Sequence, residues 1–213
     1  DASEWVLSGP HFFVGNPFFK SPRPRCKSNK DYDVLDPETL PDDYLPRTNY
    51  VPSCSPDEYV ARTPKVPWTE PGESEPRRVT SYFRLTSRTM IGSSSERTLQ
   101  SAIIPPAVAH IDLGFSVLPR DREDLLALAA SFTSVSYDFF VKSTGKGHFR
   151  NDIAALMPLL EFGKFRVAVC SRILPLNCLT DLYSHLWELS WATEFLQQDW
   201  AVDLGANGAA RLP

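Results

Sequence analysis

No hydrophobic run in the sequence approaches the ~20 apolar residues of a membrane-spanning helix, and its first residues lack a charged-then-apolar signal pattern. A membrane partner is therefore not expected. Cys26, Cys54, Cys170 and Cys178 are the only cysteines and include no CxxC pair, so a zinc site would need an unusual arrangement and reduced thiols are the expectation. Catalytic signatures are missing too. There is no GxSxG elbow, and His11, His110, His148 and His185 show no HExxH spacing. ThrGlyLysGly at 144–147 resembles the end of a phosphate-binding loop, but Gly147 stands where a hydroxyl residue is needed and the run follows a predicted helix rather than a strand. Nothing here points to a metal, a nucleotide or another cofactor held by this chain. The chain opens on Asp1 instead of methionine, so it is expected to be one piece of a longer protein.

What is present fits a globular chain. Hydrophobic residues make up 42% and aromatics 12%, which excludes a disordered tail, and 213 residues suit one domain or one domain with a long arm. The net charge of -4 argues against a free-standing, non-specific nucleic-acid binder, whose affinity would rest on accumulated positive charge. Charge is unevenly spread, however. Residues 20–30 carry Lys20, Arg23, Arg25, Lys27 and Lys30 and no acid, whereas 31–58 carry eight acids and one arginine.

In chain order, HisPhePheVal at 11–14 reads as a strand entering a turn at Gly15 and Asn16. Asn16-Pro17-Phe18-Phe19 invites comparison with the Asn-Pro-Pro-aromatic motif with which adenine methyltransferases hold a flipped base. Phe18 replaces the second proline, and the one late glycine run, AspLeuGlyAlaAsnGly at 203–208, leaves too few residues for the helix that would follow it. A structural strand and turn is the simpler reading. From 21 to 76 prolines are dense and Tyr32, Tyr44, Tyr50, Tyr59 and Trp68 are interspersed, the mark of a segment that wraps a neighbouring surface. Asp31, Asp33, Asp36, Glu38, Asp42 and Asp43 lack the spacing of a calcium loop and read as a solvated face or a contact for a basic neighbour. Residues 69–76, TEPGESEP, read as a linker or exposed loop.

Regular structure is expected beyond this arm. Residues 77–91 read as a strand with Tyr82, Arg84, Thr86 and Arg88 on one non-core face, open to solvent or to phosphates and base edges. GlySerSerSer at 92–95 turns toward Arg97. Residues 109–117 alternate cleanly, with Ala109, Ile111, Leu113, Phe115 and Val117 facing a helix that starts at Asp121. Leu125, Leu128, Ala129, Phe132, Phe139 and Phe140 give that helix one core face, with acids at its start and Lys142 at its end. A further strand is predicted over 165–173. An amphipathic helix through Leu179, Leu182, Tyr183, Leu186, Trp187 and Trp191 follows, with Asn177 as a possible cap.

The chemistry on offer is binding. Arg84, Arg88 and Arg97 lie on strand and loop segments; Lys142, Lys146, His148 and Arg150 surround a glycine loop, with Ser143 and Thr144 as neutral donors. Arginine reads guanine through two hydrogen bonds, and glycine lets a backbone approach phosphates.

Several segments together carry a resemblance: the basic strand, GluArgThrLeu with AlaIleIleProPro at 96–106, the alternating strand, the Leu- and Phe-rich helix, ThrGlyLysGly with PheArg at 144–150, and the MetProLeu end. GlyProHisPhePheVal and AspAspTyrLeuProArgThrAsnTyr at the front also agree. In this order, from about residue 9 to about 191, they resemble the target recognition domain of type IIG-like restriction-modification adenine DNA methyltransferases, phage-defence methylases included, and in part type I specificity subunits. The resemblance implies an α+β fold: a mixed sheet with packed amphipathic helices at 77–199, a proline-rich arm at 1–76, and a tail or linker at 200–213. It implies that this region reads double-stranded DNA in a prokaryotic cytoplasm without being catalytic alone. A separate N-terminal methyltransferase domain or subunit would hold S-adenosyl-L-methionine. The alternative is a structural or protein-interaction domain whose basic loops bind an acidic partner.

Overall fold

The computed structural model describes residues 5–92 and 94–198; the expected tail at 200–213 lies outside the described residues. In chain order the elements are β1 (Val6–Leu7), β2 (Lys20–Pro22), β3 (Tyr32–Val34), α1 (Pro56–Arg62), β4 (Arg84–Arg88), β5 (Ser101–Ile104), β6 (Ala109–His110), β7 (Gly114–Val117), α2 (Arg122–Thr133), α3 (Val135–Ser143), α4 (Asn151–Ala154), α5 (Arg166–Asn177) and α6 (Ser184–Ser190), with short 3-10 turns between them. The chain is mixed α+β.

An antiparallel sheet of order β5-β4-β7 sits at the centre. Its register sets hydroxyls opposite one another: Ser87 Oγ lies 2.6 Å from Ser101 Oγ, and Thr86 Oγ1 lies 2.7 Å from Ser116 Oγ. These pairs let polar side chains be buried without losing hydrogen bonds. On the expected non-core face of this strand Arg84 and Thr86 are buried, whereas Tyr82 and Arg88 are half-buried. That corrects the sequence reading: cross-strand hydroxyls and backbone carbonyls replace water as partners.

The continuous strand expected over 109–117 is broken. Ala109 and His110 pair in parallel with Val6 and Leu7, whereas Gly114 to Val117 pair with β4. Between them the Gly114 N–H donates to the Ile111 carbonyl at 2.9 Å and closes a turn. The His110 ring folds back over Gly114, where a Cβ would lie 2.7 Å from Nδ1. Only glycine fits beneath that ring.

The predicted long helix is likewise two helices. α2 starts after Asp121, with Glu123 and Asp124 in its first turn, and buries Leu125, Leu126, Ala129 and Phe132 against β4, β5 and α5. Burying a side chain such as Phe132 stabilises by roughly 1.5–3 kcal/mol. The run Ser131, Thr133, Ser134 then bonds its hydroxyls to carbonyls three or four residues back, an alternative to helical hydrogen bonding. Ser134 Oγ also accepts from the Tyr137 N–H as the cap of α3. The two axes differ by 68°, so Val141 stays in the core while Phe139, expected there, is 70% exposed and Phe140 is exposed as well.

Residues 166–177 form α5 and not the predicted strand. Val167, Cys170, Ile173 and Leu174 recur at helical spacing and face the core, a period that the local density of β-branched residues concealed. Asn177 is the last residue of α5 and caps nothing that follows it; a 3-10 turn, Asp181–Tyr183, leads into α6.

The boundary expected at residue 76 does not separate the first residues from the core. Trp5, Leu7, Phe12 and Phe18 are buried in one cluster with Ile103, Phe132 and Leu174. HisPhePheVal is a 3-10 turn running into a reversal between Phe13 and Asn16, not a strand. His11 is fully buried: Nδ1 accepts from the Ser8 N–H and Nε2 lies 3.0 Å from the Arg47 carbonyl, tying the proline-rich segment to the N-terminal turn. The uneven charge there is partly cancelled locally. Arg23 binds Asp33 across the β2–β3 pair at 2.7 Å, and the Asp31 carboxylate accepts the Lys27 and Ser28 N–H groups. Among the described residues no single helix is long and apolar enough to cross a membrane.

Candidate nucleic-acid interface

The glycine loop follows α3 and is stitched to the chain beyond β4. Thr144 Oγ1 donates to the Val141 carbonyl, and Gly145 turns the backbone at φ +66°, a conformation glycine adopts without strain. The Ile91 N–H then donates to the Gly147 carbonyl, Met90 bridges His148, and the Phe149 N–H donates to the Thr89 carbonyl at 2.6 Å. Phe149 anchors the loop from below. It is buried edge-to-face against Phe115 and Phe132, with ring centroids 5.6 and 5.7 Å away. This holds the loop's polar side chains at the rim.

Seven of the nine residues expected to contact DNA are brought to this rim or beside it. Lys146 and His148 are exposed, and Cβ atoms at Gly145 or Gly147 would meet open space. Lys146 Nζ lies 3.5 Å from Asp152. Arg150 forms two hydrogen bonds to Asp112, at 2.9 and 3.2 Å, and this guanidinium lowers the Asp112 carboxyl below its ordinary range. Lys142 donates to the Ser95 carbonyl at 3.0 Å and Ser143 to the Phe140 carbonyl at 2.8 Å. Arg88, two residues before the Met90 bridge, packs its side chain over Gly9 and donates to Gln100 Oε1 at 3.3 Å. Asp112 and Asp152 complete the charge pattern. Asp152 stands in sequence beside the loop, whereas nothing local in the sequence marks Asp112 as Arg150's partner.

Arg84 and Arg97 are elsewhere. Arg97 Nη2 donates to the Thr133 carbonyl at the α2–α3 break, and its Nε lies 3.4 Å from the buried Asp138. That carboxylate also accepts the Thr98 and Leu99 N–H groups, each at 2.7 Å. Arg97 is thereby a clamp on the helix junction. Arg84 is 4% exposed and donates to the carbonyls of Val79 and Val108. Burial brings its guanidinium pKa down to about 10. Neither side chain is free to meet a duplex, which corrects the expectation for both.

Asn16 and Phe18 are occupied structurally. Asn16 Oδ1 accepts the Phe18 N–H at 2.7 Å, and the Phe18 ring stacks on Trp5 at 5.3 Å inside the core. The four cysteines are free thiols, and burial pushes Cys178 up to about 12. Comparison of the chain with protein-family models, with curated proteins and with solved structures found no match.

Proposed function

We propose that this chain is the double-stranded DNA recognition module of a bacterial adenine DNA methyltransferase, in a restriction-modification or phage-defence system. One observation carries the reading: the loop from Lys142 to Arg150 stands at the rim with Lys146 and His148 exposed and open space beside Gly145 and Gly147. Such a surface lets a phosphate backbone come close to N–H groups and cations. The carboxylates opposite Lys146 and Arg150 are themselves exposed, and exposed ion pairs exchange partners readily. Ser143 and Thr144 flank this surface with their hydroxyl hydrogens already donated to the Phe140 and Val141 carbonyls, and Arg88 stands beyond them against Gln100. On this reading S-adenosyl-L-methionine belongs to an N-terminal methyltransferase domain or subunit in the same prokaryotic cytoplasm.

A second reading is supported by the same ion pairs. Asp112 and Asp152 already act as acceptors for Arg150 and Lys146, so an acidic protein surface is a chemically matched partner. Selection from a random duplex library, followed by anisotropy titrations, separates the two. DNA recognition requires an enriched sequence and affinity that drops steeply between about 50 and about 200 mM salt. Absence of enrichment together with salt-independent affinity would remove the DNA reading. Stoichiometric binding of S-adenosyl-L-methionine by this chain would overturn the assignment of the cofactor to another domain.

A further inference from the structure

A cavity of about 400 Å³ opens beside β4 and β7, between the sheet and the end of α1. Val79, Val108, Phe115 and Leu118 supply apolar walls, and Tyr59 and Thr63 lie at its α1 side. Its volume falls in the range of about 300–1,000 Å³ typical of small-molecule sites. Arg84, His110, Ser116 and Thr80 add polar groups to its lining.

Among the described residues, their hydrogen bonds leave one charge without a counterpart. His110 Nδ1 lies 2.9 Å from the Ile111 carbonyl, to which it must donate, so Nε2 accepts the Ser116 hydroxyl at 2.7 Å. Ser116 Oγ in turn accepts from Thr86 Oγ1 at 2.7 Å. That chain is satisfied from end to end with a neutral imidazole. Arg84 is different. Two of its five N–H groups are used by the Val79 and Val108 carbonyls, and among the described residues the other three have no protein acceptor. The ionisable groups that act on it are the Tyr59 phenol and the His110 imidazole, and among the described residues no carboxylate forms a salt bridge with it. Arg97, by contrast, has Asp138 beside it. A buried cation with no opposite charge is costly, and an oxyanion removes that cost while filling the guanidinium fork.

We propose that this cavity binds a small organic oxyanion, a carboxylate or phosphate monoester with an aromatic or aliphatic body, its charged end on Arg84 and its body against Val79, Val108, Phe115 and Leu118. The site is independent of the rim loop and of the DNA reading.

Full-length chain titrated with benzoate, phenyl phosphate, inorganic phosphate or benzylamine at fixed ionic strength tests this. The readouts are the thermal midpoint and the Arg84 Nε–H signal in nitrogen-edited NMR, assigned through its own side-chain carbons. Benzoate or phenyl phosphate is expected to shift that signal saturably and raise the midpoint, the tighter of the two naming the headgroup. Benzylamine is expected to do neither. Leu118→Trp, which fills the apolar half and leaves the guanidinium in place, is expected to weaken binding at least about tenfold, as is Arg84→Lys, which keeps the charge but loses the fork. An unmoved Arg84 signal with both aromatic anions would overturn the proposal. So would inorganic phosphate matching phenyl phosphate, or Leu118→Trp binding as tightly as the parent chain.

Discussion

Asn177 accepts the backbone N–H of Ile103 at 2.7 Å, joining the last residue of α5 to the edge strand β5 across 74 positions of sequence. The Tyr183 hydroxyl donates to the Ile103 carbonyl at 2.8 Å from the following turn. Both outward-facing backbone groups of one edge residue are thus closed by side chains, so the C-terminal helices act as a substitute for a further strand. Asn177→Ala leaves a buried N–H without an acceptor. It is expected to cost about 1–3 kcal/mol in urea unfolding, with Tyr183→Phe costing less because a carbonyl tolerates the loss better.

Gly114→Ala places a methyl group within 2.7–2.8 Å of the His110 ring. An overpacking cost of about 1–3 kcal/mol is expected. Most of it should disappear when the substitution is made on a His110→Ala background, as a double-mutant cycle would show.

His11 and His110 both have pKa values lowered by burial from the ordinary 6.5. The unfolded chain therefore takes up protons first as pH falls. Their contribution to stability is complete above pH 6.5 and is lost progressively below it, by at most about 1.4 kcal/mol per pH unit for each histidine. Unfolding free energies measured from neutral pH downward should slope this way, and His110→Gln should flatten the slope. The carboxylates Asp31, Asp33 and Asp112, lowered from 3.8, act only at more acidic pH.

At the rim, Asp112→Asn removes the carboxylate that holds Arg150. If the loop meets a duplex, affinity at low salt should rise in this variant and fall in Lys146→Ala. Anisotropy with one labelled duplex measures both. A decrease in Asp112→Asn with an unaltered fold would show that the ion pair positions Arg150 instead of competing for it.

Much of the framework was legible from residue pattern. The acidic start at Asp121 and the apolar spacing of Leu125, Ala129 and Phe132 marked α2 correctly, because helix period and end charges are local properties. The break at Ser134 was hidden. Its hydroxyl run is visible, but the Arg97 that grips the carbonyls there comes from 36 residues upstream. α5 was misread because Val167, Cys170 and Ile173 satisfy a helical period while their β-branched neighbours favour strand. For Arg84, alternation alone cannot tell a solvent face from one whose acceptors are backbone carbonyls at Val79 and Val108. The loop from Lys142 to Arg150 was legible as a basic glycine segment. Its pairing with Asp112 was not, since that contact spans 38 residues.

The bond from His11 to the Arg47 carbonyl bears on how the chain would respond to being cut. Trp5, Leu7, Phe12 and Phe18 fix the residues before the β2–β3 pair in the core, where β1 also pairs with β6, while Val66 and the three-stranded sheet lie after it. Proteolytic nicking in the exposed 23–30 turn would therefore yield two polypeptides that remain one particle. They would migrate together under native conditions and separate only in denaturant, so the N-terminal piece is a candidate for complementation by a separately expressed partner fragment.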